Sequence, residues 1–417
     1  MVKNRYKFVY LLTIIITLFM CFSVYVYADD EDEEEIRQEE VNEIVESAAT
    51  PINEPQINAR AAIIYDRSTK QIIWGKNEME KRAMASTTKI MTAIVVLENA
   101  NLDDVVTISK KAAGTGGSRL KIRAEDKITV RDLLYGLMLR SGNDAAVALA
   151  EHVGESVEGF AGLMNKKAEQ IGLKNTHFVT PHGLDDENHY TTAYELAILT
   201  DYALENSTFK KIVNTKSTQI RINENPMNIY NTNELLGVLP GVDGIKTGFT
   251  NNAGRCLVTS CTREKNQIIT VVLGCDTKKQ RTSDSTKLIE YAYKNYKRID
   301  IEQMVKKEFE NWKQINENRI YINKAKNKKM ELELGSIEKK VIPIKNDKQK
   351  DINFEINVIY NFEAPVDKNS KIGNIVIKNK DSVIEIVDII CANNIEKKTI
   401  SDYIVEFIGN IANYKFI

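Results

Sequence analysis

The chain is poor in cysteine and has no excess of charge of either sign. Among 417 residues there are five cysteines, and the formal net charge is -1. A chain this long builds its own apolar core, and usually more than one, so sparse cysteines exclude a small disulfide-stapled scaffold. Cys256, Cys261, Cys275 and Cys391 are predicted to be buried as small apolar residues. Near-neutral charge gives no electrostatic footprint for nucleic acid, and no nucleic acid partner is expected.

One long apolar run stands at the N-terminus, over residues 8–26, behind three basic residues. It ends in Val26-Tyr27-Ala28, with small residues at the two positions that a signal peptidase reads. This pattern predicts a signal peptide over residues 1–28 and an exported protein, working in the cell wall or at the outer face of the cytoplasmic membrane. A run of about 19 apolar residues is also long enough for an uncleaved membrane anchor.

The next segment is strongly acidic. Residues 29–46 contain eleven acidic side chains and one basic one, Arg37. Such composition disfavours a packed core, so residues 29–56 are predicted to form a solvated acidic linker.

Residues 57–300 have the pattern of an α+β domain. Apolar runs on either side of a polar turn predict a hairpin over 61–75, and 242–275 predicts further strands ending in a hairpin. Helical spacing lies between them, including 132–154 with a break at 140–143, and a closing helix follows at 284–296. Strands at both ends predict an antiparallel sheet whose first and last strands meet, with a helical region inserted.

Two further segments follow. Short strands separated by Lys, Asn and Asp turns predict a small all-β C-terminal domain over residues 301–395. Residues 396–417 predict an amphipathic C-terminal helix that either makes peripheral membrane contact or docks on the β domain. Its apolar stripe consists of Ile400, Ile404, Phe407, Ile408, Ile411 and Tyr414.

Three short motifs follow one another: Ser86-Thr87-Thr88-Lys89, Ser141-Gly142-Asn143 and Lys246-Thr247-Gly248. Their order is typical of serine enzymes that include penicillin-binding proteins and class A β-lactamases. A serine hydroxyl needs a nearby base to attack a carbonyl, and residues i and i+3 of a helix are neighbours. Ser86 is therefore the predicted nucleophile and Lys89 its general base.

The remaining motif residues complete the predicted chemistry. Burial and a second cation, Lys246, would each lower the pKa of Lys89. Ser141 is placed to relay a proton to the leaving amine, and Asn143 to hold substrate and lysine. Lys246 and Thr247 would grip a substrate carboxylate, while Gly248 would let the substrate backbone approach the strand. The backbone N–H groups of Ser86 and Phe249 would form an oxyanion hole.

The sequence resembles the D-alanyl-D-alanine carboxypeptidases, the low-molecular-mass penicillin-binding proteins. Besides the motifs, the resemblance rests on the stretches MASTTKIMTA, DLLYGLMLRSGNDAAVALAEH, NTHFVTPHGLDDENHYTTAYELA and GIKTGFTNNAGRCLV. It implies a β-lactamase/transpeptidase-like catalytic domain and removal of the terminal D-alanine from peptidoglycan pentapeptide stems through an acyl-serine intermediate. It also implies covalent inhibition by β-lactam antibiotics and no cofactor. Arg281 matches a basic residue that helps the family bind the terminal carboxylate; the alternative is a solvated turn arginine.

Other functions remain open on the residues alone. The fold could serve a β-lactamase or an endopeptidase, or a non-catalytic peptidoglycan- or β-lactam-binding protein. A metallohydrolase would use a loop rich in histidine and carboxylate, residues 177–189. Because that loop contains proline and glycine, we expect His177, His182 and His189 to fix its shape by hydrogen bonds, and no metal ligand is assigned.

Overall fold

The computed structural model describes residues 38–48, 54–380 and 382–414. The predicted signal peptide and part of the acidic linker lie outside the described residues. The chain forms two compact units, divided after Glu290, and residues 66–73 group with the second unit. Each unit is described below by itself.

A helix, α1 (Gln38–Ala48), lies inside the segment predicted to be a solvated linker. The prediction of an unfolded linker is therefore wrong over these residues. Val41 and Ala48 are buried, and Ile44 and Val45 are half-buried between them. These four residues recur at helical spacing, so the helix has an apolar stripe although its other faces are acidic.

The first unit combines a sheet with a helical region. The sheet has the strand order β2-β1-β9-β8-β7, so the first hairpin and the last strands meet as predicted. Its strands are β1 (Ala61–Asp66), β2 (Gln71–Lys76), β7 (Val242–Thr250), β8 (Gly254–Arg263) and β9 (Asn266–Cys275). Two separate hairpins are formed by β3 (Val105–Thr107) with β4 (Lys127–Thr129) and by β5 (Ser217–Ile222) with β6 (Asn225–Tyr230).

The helices of this unit are α2 (Lys89–Asn99), α3 (Lys110–Ala113), α4 (Val130–Leu139), α5 (Asn143–Gly154), α6 (Val157–Ile171), α7 (Ala193–Ala203), α8 (Ser207–Val213) and α9 (Lys278–Asn295). Helix α2 is buried on every face from Lys89 to Val96, which makes it the central helix of the apolar core. A helix that is apolar all round needs such a position, because it has no polar face for water. Its first turn therefore stands at a fixed place beside the sheet.

The second unit has its own apolar core. Its strands are β10 (Tyr296–Asp300), β11 (Tyr321–Asn323), β12 (Leu332–Leu334), β13 (Val341–Lys345), β14 (Ile352–Val358), β15 (Asn361–Glu363), β16 (Lys371–Asn379) and β17 (Ser382–Cys391). The largest sheet has the order β12-β17-β16-β14. The strand pattern did not predict helix α10 (Ile301–Asn316), which buries Ile301, Val305 and Phe309 at a spacing of four residues. Asp300 caps it by accepting from the Gln303 N–H at 2.8 Å.

The C-terminal helix, α11 (Ile400–Tyr414), leaves its apolar side chains from Ile400 to Ile411 exposed. Ile400 is 81% exposed and Phe407 66%. The alternative in which this helix docks on the β domain is therefore wrong. Within the described residues, no helix is both long and apolar enough to cross a membrane.

Candidate active site

The predicted nucleophile and base stand one above the other. Residues Ala85–Thr88 form a 3₁₀ turn that leads directly into α2, whose first residue is Lys89. A 3₁₀ turn has three residues per turn, so side chains at i and i+3 eclipse each other. Lys89 Nζ accordingly lies 2.7 Å from Ser86 Oγ. The contact follows from a tighter turn than the α-helix expected from sequence.

Lys89 is held by two further segments. Its Nζ donates to Oδ1 of Asn143 at 2.7 Å and to the main-chain carbonyl of His182 at 2.9 Å. The lysine is fully buried, whereas Ser86 is half-buried. A buried amine requires such polar partners, and they fix it beside the hydroxyl. The carbonyl of His182 is a partner that side-chain motifs could not reveal.

The second motif lies in the predicted break between α4 and α5. Ser141 has φ 60, an unusual conformation for a residue with a side chain, and is 1% exposed. Its Oγ is buried and has no hydrogen-bond partner among the described residues. Asn143, at the first position of α5, also donates from Nδ2 to the carbonyl of Gly116 at 2.8 Å. A buried hydroxyl without a hydrogen-bond partner is uncommon, and this one lies two residues before Asn143, which accepts from Lys89.

The third motif lies on β7, against the nucleophile's turn. A Cβ atom added to Gly248 would come 2.9 Å from the backbone nitrogen of Ser86. Only glycine permits this approach of strand and turn. Lys246 is 1% exposed and donates to the carbonyl of Thr247 at 2.9 Å, while Thr247 Oγ1 lies 2.7 Å from Thr232 Oγ1. Phe249 follows, with its ring stacked 3.6 Å from the guanidinium of Arg255.

Arg281 lies on α9, which begins six residues earlier than the closing helix predicted from sequence. It is 2% exposed, so the alternative of a solvated turn arginine is wrong. Its Nη2 donates to Oε1 of Glu234. Sequence reasoning missed Glu234, which carries no motif of its own and lies between β6 and β7.

The histidine-rich loop is held by hydrogen bonds, as expected. The Val179 N–H donates to Nδ1 of His189 at 2.9 Å, which leaves Nε2 to donate to Thr88 Oγ1 at 2.8 Å. Burial lowers the pKa of His189 to about 4. Burial, reinforced by the charge of Lys89, lowers the pKa of His182 to about 3. Both rings are therefore neutral near pH 7. His177 is exposed, and its Nδ1 lies 2.6 Å from the carbonyl of Asn188.

The four cysteines in the described part of the chain make no contact with these motif side chains in the hydrogen bonds above. Cys256, Cys261, Cys275 and Cys391 are buried, as the sequence predicted. Burial raises the pKa of the Cys275 thiol, so this thiol stays protonated.

Comparison with known proteins identifies the family. Residues 47–277 match the model of the D-alanyl-D-alanine carboxypeptidases, and residues 309–397 match the C-terminal domain of penicillin-binding protein 5. This chain belongs to the D-alanyl-D-alanine carboxypeptidase family. The carboxypeptidase DacF of Bacillus subtilis is 32% identical over 86% of this chain and 91% of its own length. The carboxypeptidase DacA of Haemophilus influenzae is 34% identical over 78% of this chain and 82% of its own.

Solved structures agree with the family match. The chain resembles the carboxypeptidase DacD of Francisella tularensis with a TM-score of 0.69 and 27% identity, covering 90% of this chain and 99% of that one. Penicillin-binding protein 5 of Haemophilus influenzae gives a TM-score of 0.66 and 29% identity, covering 83% and 100%. The predicted family, its mixed α+β fold and serine-type carboxypeptidase activity are confirmed.

Proposed function

We propose that this carboxypeptidase removes the terminal D-alanine of peptidoglycan pentapeptide stems with Ser86 as nucleophile and Lys89 as general base. Ser86 Oγ forms a bond to the carbonyl carbon of the penultimate D-alanine, and its proton passes to the neutral amine of Lys89. The 2.7 Å separation of Oγ and Nζ is the observation that carries the proposal. The C–N bond then breaks, D-alanine leaves, and water hydrolyses the acyl-serine.

Ser141 is proposed to relay the proton from Lys89 to the leaving amine. Its buried Oγ has no partner among the described residues and so is available to a substrate atom. Asn143 would keep Lys89 in place through the 2.7 Å contact of its Oδ1 and orient the substrate amide. The first transfer, from Ser86 to Lys89, then runs between atoms that the fold already holds 2.7 Å apart, so little reorganisation is needed for it.

The oxyanion is proposed to bind to the N–H groups of Ser86 and Phe249. Ser86 lies in the first turn ahead of a long buried helix, where backbone N–H groups lack intrahelical acceptors. A Cβ atom built on Gly248 would lie 2.9 Å from the Ser86 nitrogen, so the backbone of β7 runs close to that N–H group. The next N–H of that strand, at Phe249, would supply the second donor.

The substrate's terminal carboxylate is proposed to bind to Lys246, Thr247 and Arg281. The two cations are 1% and 2% exposed. Charge–charge attraction is stronger at such desolvated positions than in water. A free carboxylate at the end of the peptide would therefore be the feature that distinguishes a carboxypeptidase substrate from an internal peptide bond.

The layout of the whole chain supports a place outside the cytoplasm. We propose export through the signal peptide at residues 1–28, catalysis by 57–300, an all-β domain over 301–395 and peripheral membrane contact by 396–417. The contact is supported by the uncovered apolar side chains of α11, such as Val405 at 70% and Ile408 at 59% exposed. Such a helix can lie in the plane of a membrane interface.

The test uses protein from residue 29 onward. It is incubated with a fluorescent penicillin and, separately, with diacetyl-Lys-D-Ala-D-Ala, and labelling of Ser86 and release of D-alanine are measured. We expect both, and neither in Ser86→Ala. Lys89→Ala should lose comparable activity, since residues that act as a unit are not additive. Label without release of D-alanine would refute turnover of this substrate, and normal activity of either variant would refute the assigned roles.

A further inference from the structure

Glu234 forms an ion pair with Arg281, the arginine that is proposed to bind the substrate's carboxylate. Arg281 Nη2 donates to Glu234 Oε1, and the two side chains are 2% and 20% exposed. A buried guanidinium is costly without a counter-charge, and Glu234 supplies it in the free enzyme. The guanidinium that would meet the substrate is therefore already in contact with a carboxylate of the protein.

The pairing of these two groups is incomplete. Arg281 Nε and Glu234 Oε2 are both buried and have no partner among the described residues. A fully matched arginine–carboxylate pair makes two parallel hydrogen bonds, which would satisfy both atoms. The observed pair thus leaves a guanidinium donor for another acceptor, while it keeps a negative charge at the same place.

Glu234 is fixed beside the third motif by its neighbours. Thr232 Oγ1 lies 2.7 Å from Thr247 Oγ1, and the buried Asn233 donates from Nδ2 to the carbonyl of Gly244 at 3.0 Å. Glu234 also lines a groove of about 600 Å³ together with Lys216 and Gly237. The carboxylate therefore has space to turn away from Arg281 when another anion arrives.

We propose that Glu234 is a specificity-determining residue, an internal carboxylate that competes with the substrate's terminal carboxylate for Arg281. This rests on the proposed function and on the role it gives to Arg281. Two carboxylates on one guanidinium repel each other, so the substrate must displace Glu234 or bind beside it. The enzyme would thereby bind free-acid peptides more weakly than its two buried cations alone would allow. The binding of peptides without that carboxylate would not depend on Glu234.

The test compares Glu234→Gln with wild type on two substrates, diacetyl-Lys-D-Ala-D-Ala and its C-terminal amide. Glutamine has the same size and keeps an acceptor for Arg281 but removes the charge. We expect kcat/KM for the acid to rise about tenfold, the factor of one pKa unit of charge interaction, with no change for the amide. Glu290→Gln is the matched control, because Glu290 also forms an ion pair with an arginine, Arg263 Nη2 at 2.6 Å. Arg263 is the last residue of β8, whereas the turn that joins β7 to β8 lies at the other end of that strand. Glu290→Gln should leave both substrates unchanged.

Three results would overturn the proposal. An unchanged ratio of acid to amide in Glu234→Gln would exclude competition, and a lower ratio would mean that Glu234 assists binding through Arg281. If Arg281→Gln kept the wild-type ratio, Arg281 would not read the carboxylate. Amide turnover and urea unfolding report folding of each variant independently. Failure of wild type to release D-alanine would instead refute the proposed function itself.

Discussion

Gly248→Ala tests the close approach of β7 to the nucleophile's turn. The new Cβ would meet the Ser86 nitrogen at 2.9 Å, the Thr87 nitrogen at 3.1 Å and the Ala85 Cβ at 3.1 Å. None of these atoms can rotate away, since two are backbone and the third is fixed to it. An ordinary contact needs about 3.5 Å or more, so turn and strand must separate by about 0.6 Å.

That separation acts on the proposed oxyanion hole. Its donors must lie about 2.7–3.1 Å from the developing oxyanion, and loss of one donor costs roughly 10²–10³ in rate, or about 3–4 kcal/mol. We therefore expect acylation to fall by that factor. The free energy of unfolding should fall by only about 1–3 kcal/mol, the usual cost of overpacking, so the protein should still fold.

The assay is the second-order rate constant for labelling by a fluorescent penicillin, with urea unfolding measured in parallel. Gly162→Ala is the matched control, because a Cβ on Gly162, in α6, would have no neighbour within 4 Å. The control should label at the wild-type rate and gain about 0.5–1 kcal/mol of helix stability. Folded Gly248→Ala that labels within about threefold of wild type would refute the reasoning, since that is under 1 kcal/mol of barrier.

Three further predictions concern the base, the buried histidines and the second unit. Lys89→Met should slow penicillin labelling by about 10²–10⁴, the usual contribution of a general base, and a smaller loss in stopped-flow assays would assign the proton to another group. His182 and His189, with pKa values of about 3 and 4, stay neutral in the fold while their unfolded forms protonate near 6.5. The free energy of unfolding should therefore be highest above pH 6.5 and fall as the pH drops toward 4, by about 2 kcal/mol per histidine between pH 7 and 5. A free energy of unfolding that does not change with pH in urea titrations would contradict this. Phe309→Ala, at a 3% exposed core position, should cost the second unit about 3–5 kcal/mol in calorimetry without slowing labelling.

The three motifs were readable because they follow one another in a typical order, and the first of them also obeys a local spacing rule. Ser86 and Lys89 are three residues apart at a helix start, and residues three apart are neighbours both in an α-helix and in the 3₁₀ turn that the structure has there. The first and last strands were predicted to meet because their apolar patterns flank the helices. In both cases short-range spacing carries the information. The family resemblance added the position of Arg281, which local pattern alone would have left as a turn residue.

The parts that escaped prediction depend on distant contacts or on main-chain atoms. Glu234 gains its meaning from Arg281, 47 residues later in the chain, and no spacing rule joins them. The carbonyl of His182 belongs to every residue type, so sequence cannot mark it. Helix α10 was hidden because Ile301, Val305 and Phe309 are few among many charged residues. Their stripe is clear only once it faces the second core.

The bond from Lys89 to the carbonyl of His182 has a consequence for mutational scanning. Every substitution at position 182 keeps a carbonyl, so an alanine scan would leave this acceptor in place and report only on the imidazole ring. The proposed base, Lys89, is thus partly held by an atom that no amino-acid substitution can remove. Only a change in chain length or main-chain direction there would release it.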